Sequence, residues 1–205
     1  MFTLYHSYWS RATRMLAFLH EADLRDRVDL VHVDISRNDG SGGPDARNPH
    51  PDHKVPALDH DGTIITETAA IMLYLADLFP ESGLAPRISD KARGPFLTWL
   101  NWYSAQMEPA YVVMVSGVDH PVFHTTFRGV ADVERRLIEA FADGRPFLLG
   151  DRFTAADLLI QSPYKWFADA VPDDANVKAW VERINARPSY GWAAEIDAKY
   201  APQAA

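Results

Sequence analysis

Three short stretches of this sequence place hydroxyl, carboxylate or proline residues where a strand is expected to meet a helix or a loop. In the first, residues 5–11 (YHSYWSR), Ser7, Tyr8 and Ser10 bring three hydroxyls close to the amino end of an expected helix. A hydroxyl there can stabilise a bound anion, because the unpaired N–H groups of the helix add a positive dipole end. The alternative is structural: Ser7 or Ser10 caps the helix, and Tyr8 and Trp9 are half-buried loop aromatics.

The second stretch is residues 53–58 (HKVPAL), in which Pro56 precedes an expected strand. Proline cannot donate to a central ladder, so it belongs at a strand start or a bend. A cis Val55–Pro56 bond would turn the N–H and C=O of Val55 outward, where they can pair with a peptide-like ligand. On the residues alone a trans proline is the competing interpretation, since about 5–6% of X–Pro bonds are cis.

The third stretch is residues 66–71 (TETAAI), which open a strongly apolar helical pattern. Free N–H groups and hydroxyls at a helix start suit a carboxylate ligand, and Glu67 can hold an ammonium group beside it. The alternative is plain capping by Thr66 or Thr68, with an acid in the first turn as the helix dipole favours.

The hydrophobic pattern predicts the elements that must position these stretches. Asp61-Gly62 between two apolar runs indicates a tight hairpin. The order β-α-β-loop-β-β-α fits a small α/β layer on a mixed sheet, and beyond about Pro86 only helical periodicity is found. The expected strands are 2–6, 28–33, 57–59 and 63–65, and the expected helices are 11–24, 67–78, 91–118, 125–143, 154–170, 177–186 and 191–200.

Composition excludes several classes of function. The 205 residues carry 20 basic and 28 acidic side chains, a net charge of −8, which disfavours nucleic acid and anionic membranes as partners. The absence of cysteine excludes disulfides, a cysteine nucleophile and thiol exchange through a protein thiol. No apolar run is long enough to span a membrane and no leader pattern opens the chain, so a cytoplasmic protein is expected. No histidine pattern indicates a metal site.

In this order, the stretches resemble the cytosolic glutathione S-transferase family, with a bacterial-type, serine-type member expected. The resemblance covers essentially the whole chain. In a fourth matching stretch, Thr154 and Asp157 have capping-box spacing. The motifs that carry the resemblance are Ser10-Arg11, Asn48-Pro49 ahead of residues 54–58 (KVPAL), residues 67–71 (ETAAI) and residues 148–157 (LLGDRFTAAD).

The resemblance implies an α/β thioredoxin-like N-terminal domain followed by an all-α C-terminal domain. The domains are expected at 1–80 and 91–205, joined by a linker at 81–90. It also makes the cis form of Pro56 the expected one. A homodimer is implied, in contact through the helix after Glu67 and the first helix of the second domain.

The resemblance further implies glutathione as co-substrate and assigns its contacts. The backbone of Val55, beside Pro56, pairs with the cysteinyl unit. Glu67 and Thr68 hold the γ-glutamyl end. Lys54 or His53 faces the glycyl carboxylate.

The implied chemistry is detoxification: glutathione's thiolate attacks an apolar electrophile. A thiol of pKa about 8.5 needs roughly 2.7 kcal/mol of preferential stabilisation to lose two pKa units. One hydroxyl hydrogen bond to a charged acceptor supplies about 1.5–3 kcal/mol. Ser10 is the first choice for that hydroxyl, because it precedes Arg11 at the helix start; Tyr5 and Ser7 are the alternatives, in that order.

An apolar electrophile pocket is expected between the domains. Its candidates are the aromatic and thioether side chains Tyr8, Trp9, Tyr103, Met107, Tyr111 and Trp166, although helical stripes of this kind are usually core. Isomerase, dehalogenase or lyase chemistry in the same superfamily shares every glutathione contact and stays open as an alternative. The remaining alternative is a non-catalytic protein that binds glutathione or another ligand.

Overall fold

The computed structural model describes residues 1–202 and divides into two compact units. The first comprises Met1–Leu84 and the segment that begins at Arg187, and the second comprises Ala85–Ala186. The break after Leu84 lies inside the predicted linker, 81–90. The predicted second domain, 91–205, differs at its end: the last helix belongs to the first unit, and residues 203–205 lie outside the described residues.

The first unit is built on a four-stranded mixed sheet in the order β2-β1-β3-β4. Strand β1 pairs in parallel with β2 and antiparallel with β3, which pairs antiparallel with β4. Asp61 and Gly62 close the β3–β4 hairpin with φ of 51° and 87°, and positive φ at both positions matches the twist of the strands. The strands are β1 Phe2–His6, β2 Val28–His32, β3 Ala57–His60 and β4 Thr63–Thr66, each within one residue of its predicted bounds.

Among the described residues, this unit also contains a 3₁₀ turn, Pro80–Ser82, and three α-helices: α1 (Thr13–Glu21), α2 (Thr68–Leu78) and α9 (Pro188–Ala198). Helix α1 is shorter than the predicted 11–24. Helix α9 packs along α1, and Arg187 Nε and Nη2 donate to the Glu21 carboxylate at 2.8 and 2.6 Å. That packing is the physical reason why α9 joins the sheet unit instead of the helices that precede it in sequence.

The second unit is helical throughout its regular elements. Its first long helix, predicted over 91–118, runs as α3 and α4 with a five-residue π-helical segment, Tyr103–Met107, between them. The predicted helix 154–170 is shorter, since 3₁₀ turns follow α7. The elements are α3 Arg93–Trp102, α4 Glu108–Ser116, α5 Pro121–Thr126, α6 Val130–Ala140, α7 Ala155–Gln161 and α8 Ala175–Asn185.

The predicted capping box at the start of α7 is confirmed, and its acid is fully buried. The N–H and hydroxyl of Thr154 donate to Asp157 Oδ2 at 2.9 and 3.0 Å. Leu148 N and Trp180 Nε1 donate to Asp157 Oδ1 at 2.8 and 3.1 Å. Burial raises the pKa of Asp157 to about 6, against the opposing effect of these four hydrogen bonds.

The predicted fold class, an α/β thioredoxin-like domain with an all-α domain, is confirmed. Along residues 1–202, no helix combines the length and the apolar character that a membrane crossing requires.

Candidate functional site

The register of the sheet places the three sequence stretches at one end of it. Tyr5 on β1 pairs with Ala57 on β3, and Ala57 pairs with Thr66 on β4. Residues 7–12 leave β1 just beyond this row, Val55-Pro56 enters β3 just before it, and Glu67 follows β4. Two strand spacings of about 4.8 Å put the ends of the row roughly 10 Å apart.

The turn between β1 and α1 is closed by the hydroxyl of Ser10. Ser10 Oγ donates to the Ser7 carbonyl at 2.6 Å and accepts from Ala12 N–H at 3.1 Å. The sequence predicts a helix from residue 11 with Ser10 at its start. In the structure α1 begins at Thr13, so Ser10 lies about one turn ahead of the helix. Ser10 is buried, with 8% of the residue exposed, whereas Ser7 is fully buried.

Arg37 supports this turn from the loop that follows β2. Its Nη2 donates to Ser7 Oγ at 2.9 Å and its Nη1 donates to the Tyr8 carbonyl at 3.2 Å. Its guanidinium carbon lies 3.8 Å from the centroid of the Tyr8 ring, a cation–π distance. Ser7 is fully buried, so Arg37 reaches its hydroxyl but a ligand in solvent does not. Nothing in the sequence around Arg37 signals this role.

Tyr5 packs against the buried cluster of Ala12, Val33 and Val55. Its ring therefore contributes to the layer that joins the first turn to the Val55 loop, as expected for a residue inside β1.

The Val55–Pro56 peptide bond is cis, as the resemblance implies. The loop before it is tied by Asn48, whose Nδ2 donates to the Lys54 carbonyl at 3.0 Å and whose Oδ1 accepts from His50 N–H at 3.0 Å. Asn48 and His50 are buried, whereas the side chains of His53 and Lys54 are exposed. The His53 and Lys54 side chains are thus exposed next to a loop whose backbone is held by hydrogen bonds to Asn48.

Glu67 precedes α2 with its side chain exposed and its backbone at φ 68° and ψ 117°. No side chain caps α2, so the capping role proposed for Thr66 or Thr68 is not what the structure shows. The first N–H groups of the helix and the Glu67 carboxylate remain available to a ligand. Thr68 is buried at the helix start.

Backbone strain recurs in all three stretches. Six described non-glycine residues have positive φ, and three of them, Trp9, His53 and Glu67, fall one in each stretch. Such conformations cost about 1–3 kcal/mol and concentrate at functional sites. The strained residues therefore lie at the same end of the sheet as the three sequence stretches, which supports this end as the functional site.

The electrophile candidates differ in the surface they offer. Tyr103 and Met107 bound the π-helical segment and are buried, and Tyr111 is buried with its ring stacked 5.5 Å from Phe167. Burial raises the pKa of Tyr111 to about 12, so its hydroxyl stays protonated. In contrast, Trp9 and Trp166 are 62% and 48% exposed.

Tyr8, the sixth electrophile candidate, is half-buried and stacks on the His32 ring at 5.8 Å. Within residues 1–202, no three His, Cys, Asp or Glu side chains lie close enough together to hold a metal ion.

Asp197 on α9 is, after Arg37, a second residue at the β1–α1 turn that the sequence did not indicate. Its Oδ2 accepts from Thr13 Oγ1 at 2.6 Å and from Trp9 N–H at 3.2 Å. The contact joins residues 188 positions apart, and a single acid in a helix gives no local signal of it.

Two family descriptions match the chain. "Glutathione S-transferase, N-terminal domain" matches residues 6–78, and "Glutathione S-transferase, C-terminal domain" matches residues 104–188. Together they cover most of the sequence, including the β1–α1 turn, the Val55 loop and the start of α2.

Individual relatives agree with these matches. The chain is 27% identical to "Glutathione S-transferase GstA" of Escherichia coli O157:H7 over 164 residues, 78% of this chain and 81% of that one. It is 28% identical to "Disulfide-bond oxidoreductase YfcG" of Escherichia coli K12 over 214 residues, 94% of both chains. A sphingomonad glutathione S-transferase complexed with glutathione is similar in structure, with a TM-score of 0.72 and 26% identity over 96% of this chain and 98% of that one.

Both family descriptions, these relatives and the arrangement of the three stretches on the sheet lead to one conclusion: the chain belongs to the glutathione S-transferase family.

Proposed function

We propose that this protein is a serine-type, bacterial-type glutathione transferase that activates the glutathione thiol for attack on an apolar electrophile. The observation that carries the proposal is the register row Tyr5–Ala57–Thr66, which places the β1–α1 hydroxyl turn, the Val55 backbone and the uncapped start of α2 at one end of the sheet. The glutathione complex of the similar sphingomonad enzyme supports glutathione as the ligand.

The row has the length of the ligand. An extended chain spans at most about 3.3–3.6 Å per residue, so a tripeptide covers roughly 10 Å. We assign the cysteinyl unit to the backbone of Val55, next to Pro56, and the γ-glutamyl unit to Glu67 and Thr68. A carboxylate at the α2 start gains from the unpaired N–H groups there, while Glu67 takes the ammonium. Lys54 or His53 then faces the glycyl carboxylate.

We assign the thiol activation to Ser10. The sulfur releases its proton to solvent, and the Ser10 hydroxyl turns from the Ser7 carbonyl to donate to the thiolate. The thiolate then forms a carbon–sulfur bond with the electrophile, whose leaving group departs with the electron pair. Ser7 and Tyr5 are ranked below Ser10, because Ser7 is fully buried and Tyr5 packs in the cluster with Val55.

Candidates for electrophile contact are Tyr8 and Trp9 in the first unit and Tyr103, Met107, Tyr111 and Trp166 in the second. The π-helical segment supports Tyr103 and Met107, since such segments recur at functional sites. Trp9 and Trp166 are candidates because their exposed indole rings can contact an apolar electrophile from solvent. We also propose a homodimer that uses α2 and the α3–α4 helix, in a cytoplasmic enzyme without a metal.

A second candidate function is glutathione-dependent reduction of disulfides, favoured by the match to the relative named "Disulfide-bond oxidoreductase YfcG". This chain has no cysteine, so both reducing thiols would come from glutathione. Two glutathione molecules would form the S–S bond of glutathione disulfide. The S–S bond of the substrate would break, and its two sulfurs would take up the two electrons and the two protons and leave as thiols.

One experiment separates the two functions. Calorimetry first measures glutathione binding, and mass spectrometry then identifies the products formed with an aryl halide and with a small-molecule disulfide. A thioether adduct with release of halide supports transfer, whereas catalysed reduction of the disulfide without an adduct supports the second candidate. Binding without either product leaves a non-catalytic glutathione-binding protein, and no binding contradicts the proposal.

A further inference from the structure

The β1–α1 turn is held from outside by a buried carboxylate of α9. Asp197 is 1% exposed, and its Oδ2 accepts from the Thr13 hydroxyl at 2.6 Å and from the Trp9 N–H at 3.2 Å. Thr13 Oγ1 in turn accepts from the Ser10 N–H at 3.4 Å. Asp197 is therefore hydrogen-bonded directly to the N–H of Trp9 and, through the Thr13 hydroxyl, to the N–H of Ser10 itself.

The turn needs an external hold because its own conformation is unfavourable. Trp9 has φ 46°, in the left-handed region, where a bulky residue is strained. Its indole is 62% exposed, so side-chain packing does little to fix it. The hydrogen bond from Trp9 N–H to Asp197 compensates for this strain at the residue directly before Ser10.

A buried carboxylate is a costly way to brace a turn. Asp197 Oδ1 is buried with no hydrogen-bond partner among residues 1–202, and an unpaired buried oxygen is destabilising. Burial raises the pKa of Asp197, while its bonds to Thr13 and Trp9 oppose that rise. A residue that costs stability and fixes a turn at the proposed site is typical of function.

We infer that Asp197 is a positioning residue that, through Thr13 and Trp9, orients the Ser10 hydroxyl toward the glutathione sulfur. The inference rests on the proposed function and adds a residue to it. Asp197 acts through the turn, so its loss should raise the pKa of the bound thiol and lower kcat, while glutathione binding at Val55 and Glu67 changes little.

The test compares Asp197→Ala and Asp197→Asn with Glu195→Gln, an exposed acid two residues away on α9. Thiolate absorbance of bound glutathione is titrated against pH, and kcat and KM are measured separately. We expect Asp197→Ala to raise the thiol pKa by about one unit and lower kcat at neutral pH about tenfold, as one pKa unit is a tenfold change in thiolate ratio. Asp197→Asn keeps an acceptor and should show a smaller effect, and Glu195→Gln should match wild type.

Thr13→Val is a second variant that leaves Asp197 in place but removes the hydroxyl between it and Ser10. It should raise the thiol pKa in the same direction, which keeps the inference testable if Asp197→Ala does not fold. In a Ser10→Ala background, Asp197→Asn should produce no further rise, because the group it positions is gone. A rise of equal size in that background overturns the inference, as does a thiol pKa unchanged in both Asp197→Asn and Thr13→Val.

The thiol pKa of glutathione bound to the wild-type protein tests the proposed function separately from the role of Asp197. A wild-type complex whose thiol keeps its free pKa contradicts thiolate activation, and with it any catalytic purpose for Asp197. Amide hydrogen exchange at Trp9 then decides whether Asp197 holds the turn at all. Faster exchange in Asp197→Ala supports the hold, and unchanged exchange overturns it.

Discussion

The hydroxyl of Ser10 donates to the carbonyl of Ser7 across 2.6 Å, and its oxygen accepts from Ala12 N–H at 3.1 Å. In this structure the Ser10 hydroxyl therefore donates its hydrogen bond to a neutral carbonyl. In the proposed chemistry it donates that hydrogen bond to the glutathione thiolate instead. Charge-assisted hydrogen bonds are roughly twice as strong as neutral ones, so a thiolate competes well for that proton. Ala12 N–H continues to hold the oxygen in place while the hydroxyl hydrogen changes acceptor.

Glu67 should show a trade-off between stability and binding. Glu67→Gly places glycine at φ 68°, which relieves strain and should raise the free energy of unfolding by about 1 kcal/mol. The same change removes the carboxylate proposed to hold the glutathione ammonium and should weaken binding about tenfold or more, since a charged hydrogen bond contributes about 1.5–3 kcal/mol. Urea denaturation and calorimetry measure the two effects.

Glu67→Gln is the matched variant, because it keeps the strained backbone and removes only the charge. It should weaken binding without the gain in stability. Glutathione affinity unchanged in both variants would show that Glu67 does not contact the γ-glutamyl end.

Asp157 should be far more important for stability than an ordinary helix cap. Asp157→Ala leaves the buried N–H donors of Leu148, Thr154 and Trp180 without their acceptor. At about 1–3 kcal/mol per unsatisfied donor, we expect a loss of at least about 3 kcal/mol in the free energy of unfolding. Asp174→Ala removes the acid that caps α8 and should cost about 1 kcal/mol. Equal losses in the two variants, measured by urea denaturation, would contradict this account.

His6 should make the protein less stable in mild acid. Burial, with the charge of His32, lowers the pKa of His6 to about 4, whereas an unfolded histidine titrates at about 6.5. As pH falls from 6.5 toward 4, the unfolded state binds a proton that the folded state excludes, so stability falls. Between pH 6.5 and 5 this one group contributes a loss of about 2 kcal/mol at most.

His6→Phe removes the titrating group and should flatten the dependence of unfolding free energy on pH in that window. Leu4→Val, a change at a buried residue of the same strand that carries no titrating group, is the control for altered packing and should keep the wild-type slope. A slope in His6→Phe as steep as that of wild type would mean that other groups control the acid response.

The strands and the candidate site residues on them could be predicted from the sequence. The long-range contacts that hold the β1–α1 turn could not. Alternation and the Asp61-Gly62 turn predict the strands, and the order of the strands brings Ser10, Val55 and Glu67 to one edge. Local sequence patterns do not predict the hydrogen bond between Trp9 and Asp197, because no residue near Asp197 indicates its partner. For the same reason the sequence predicts the final helix as part of the second domain, whereas in the structure it packs on α1.

Periodicity also could not separate pocket from core in the long helix of the second unit. Tyr103, Met107 and Tyr111 are apolar or aromatic at helical spacing, which predicts burial on one face but not what covers it. The π-helical segment that Tyr103 and Met107 bound has no sequence signal of its own. Their contact with an electrophile stays a prediction.

The pKa of the glutathione thiol bound to wild type and to Ser10→Ala tests the central claim most directly. Thiolate absorbance is titrated against pH in each complex, with Ser7→Ala and Tyr5→Phe as comparison variants. We expect wild type to lower the thiol pKa by about two units, and Ser10→Ala to recover at least about one of them, with turnover at neutral pH reduced tenfold or more. A thiol pKa that is unchanged in Ser10→Ala but raised in Tyr5→Phe or Ser7→Ala would contradict the account and move the activating hydroxyl to that residue.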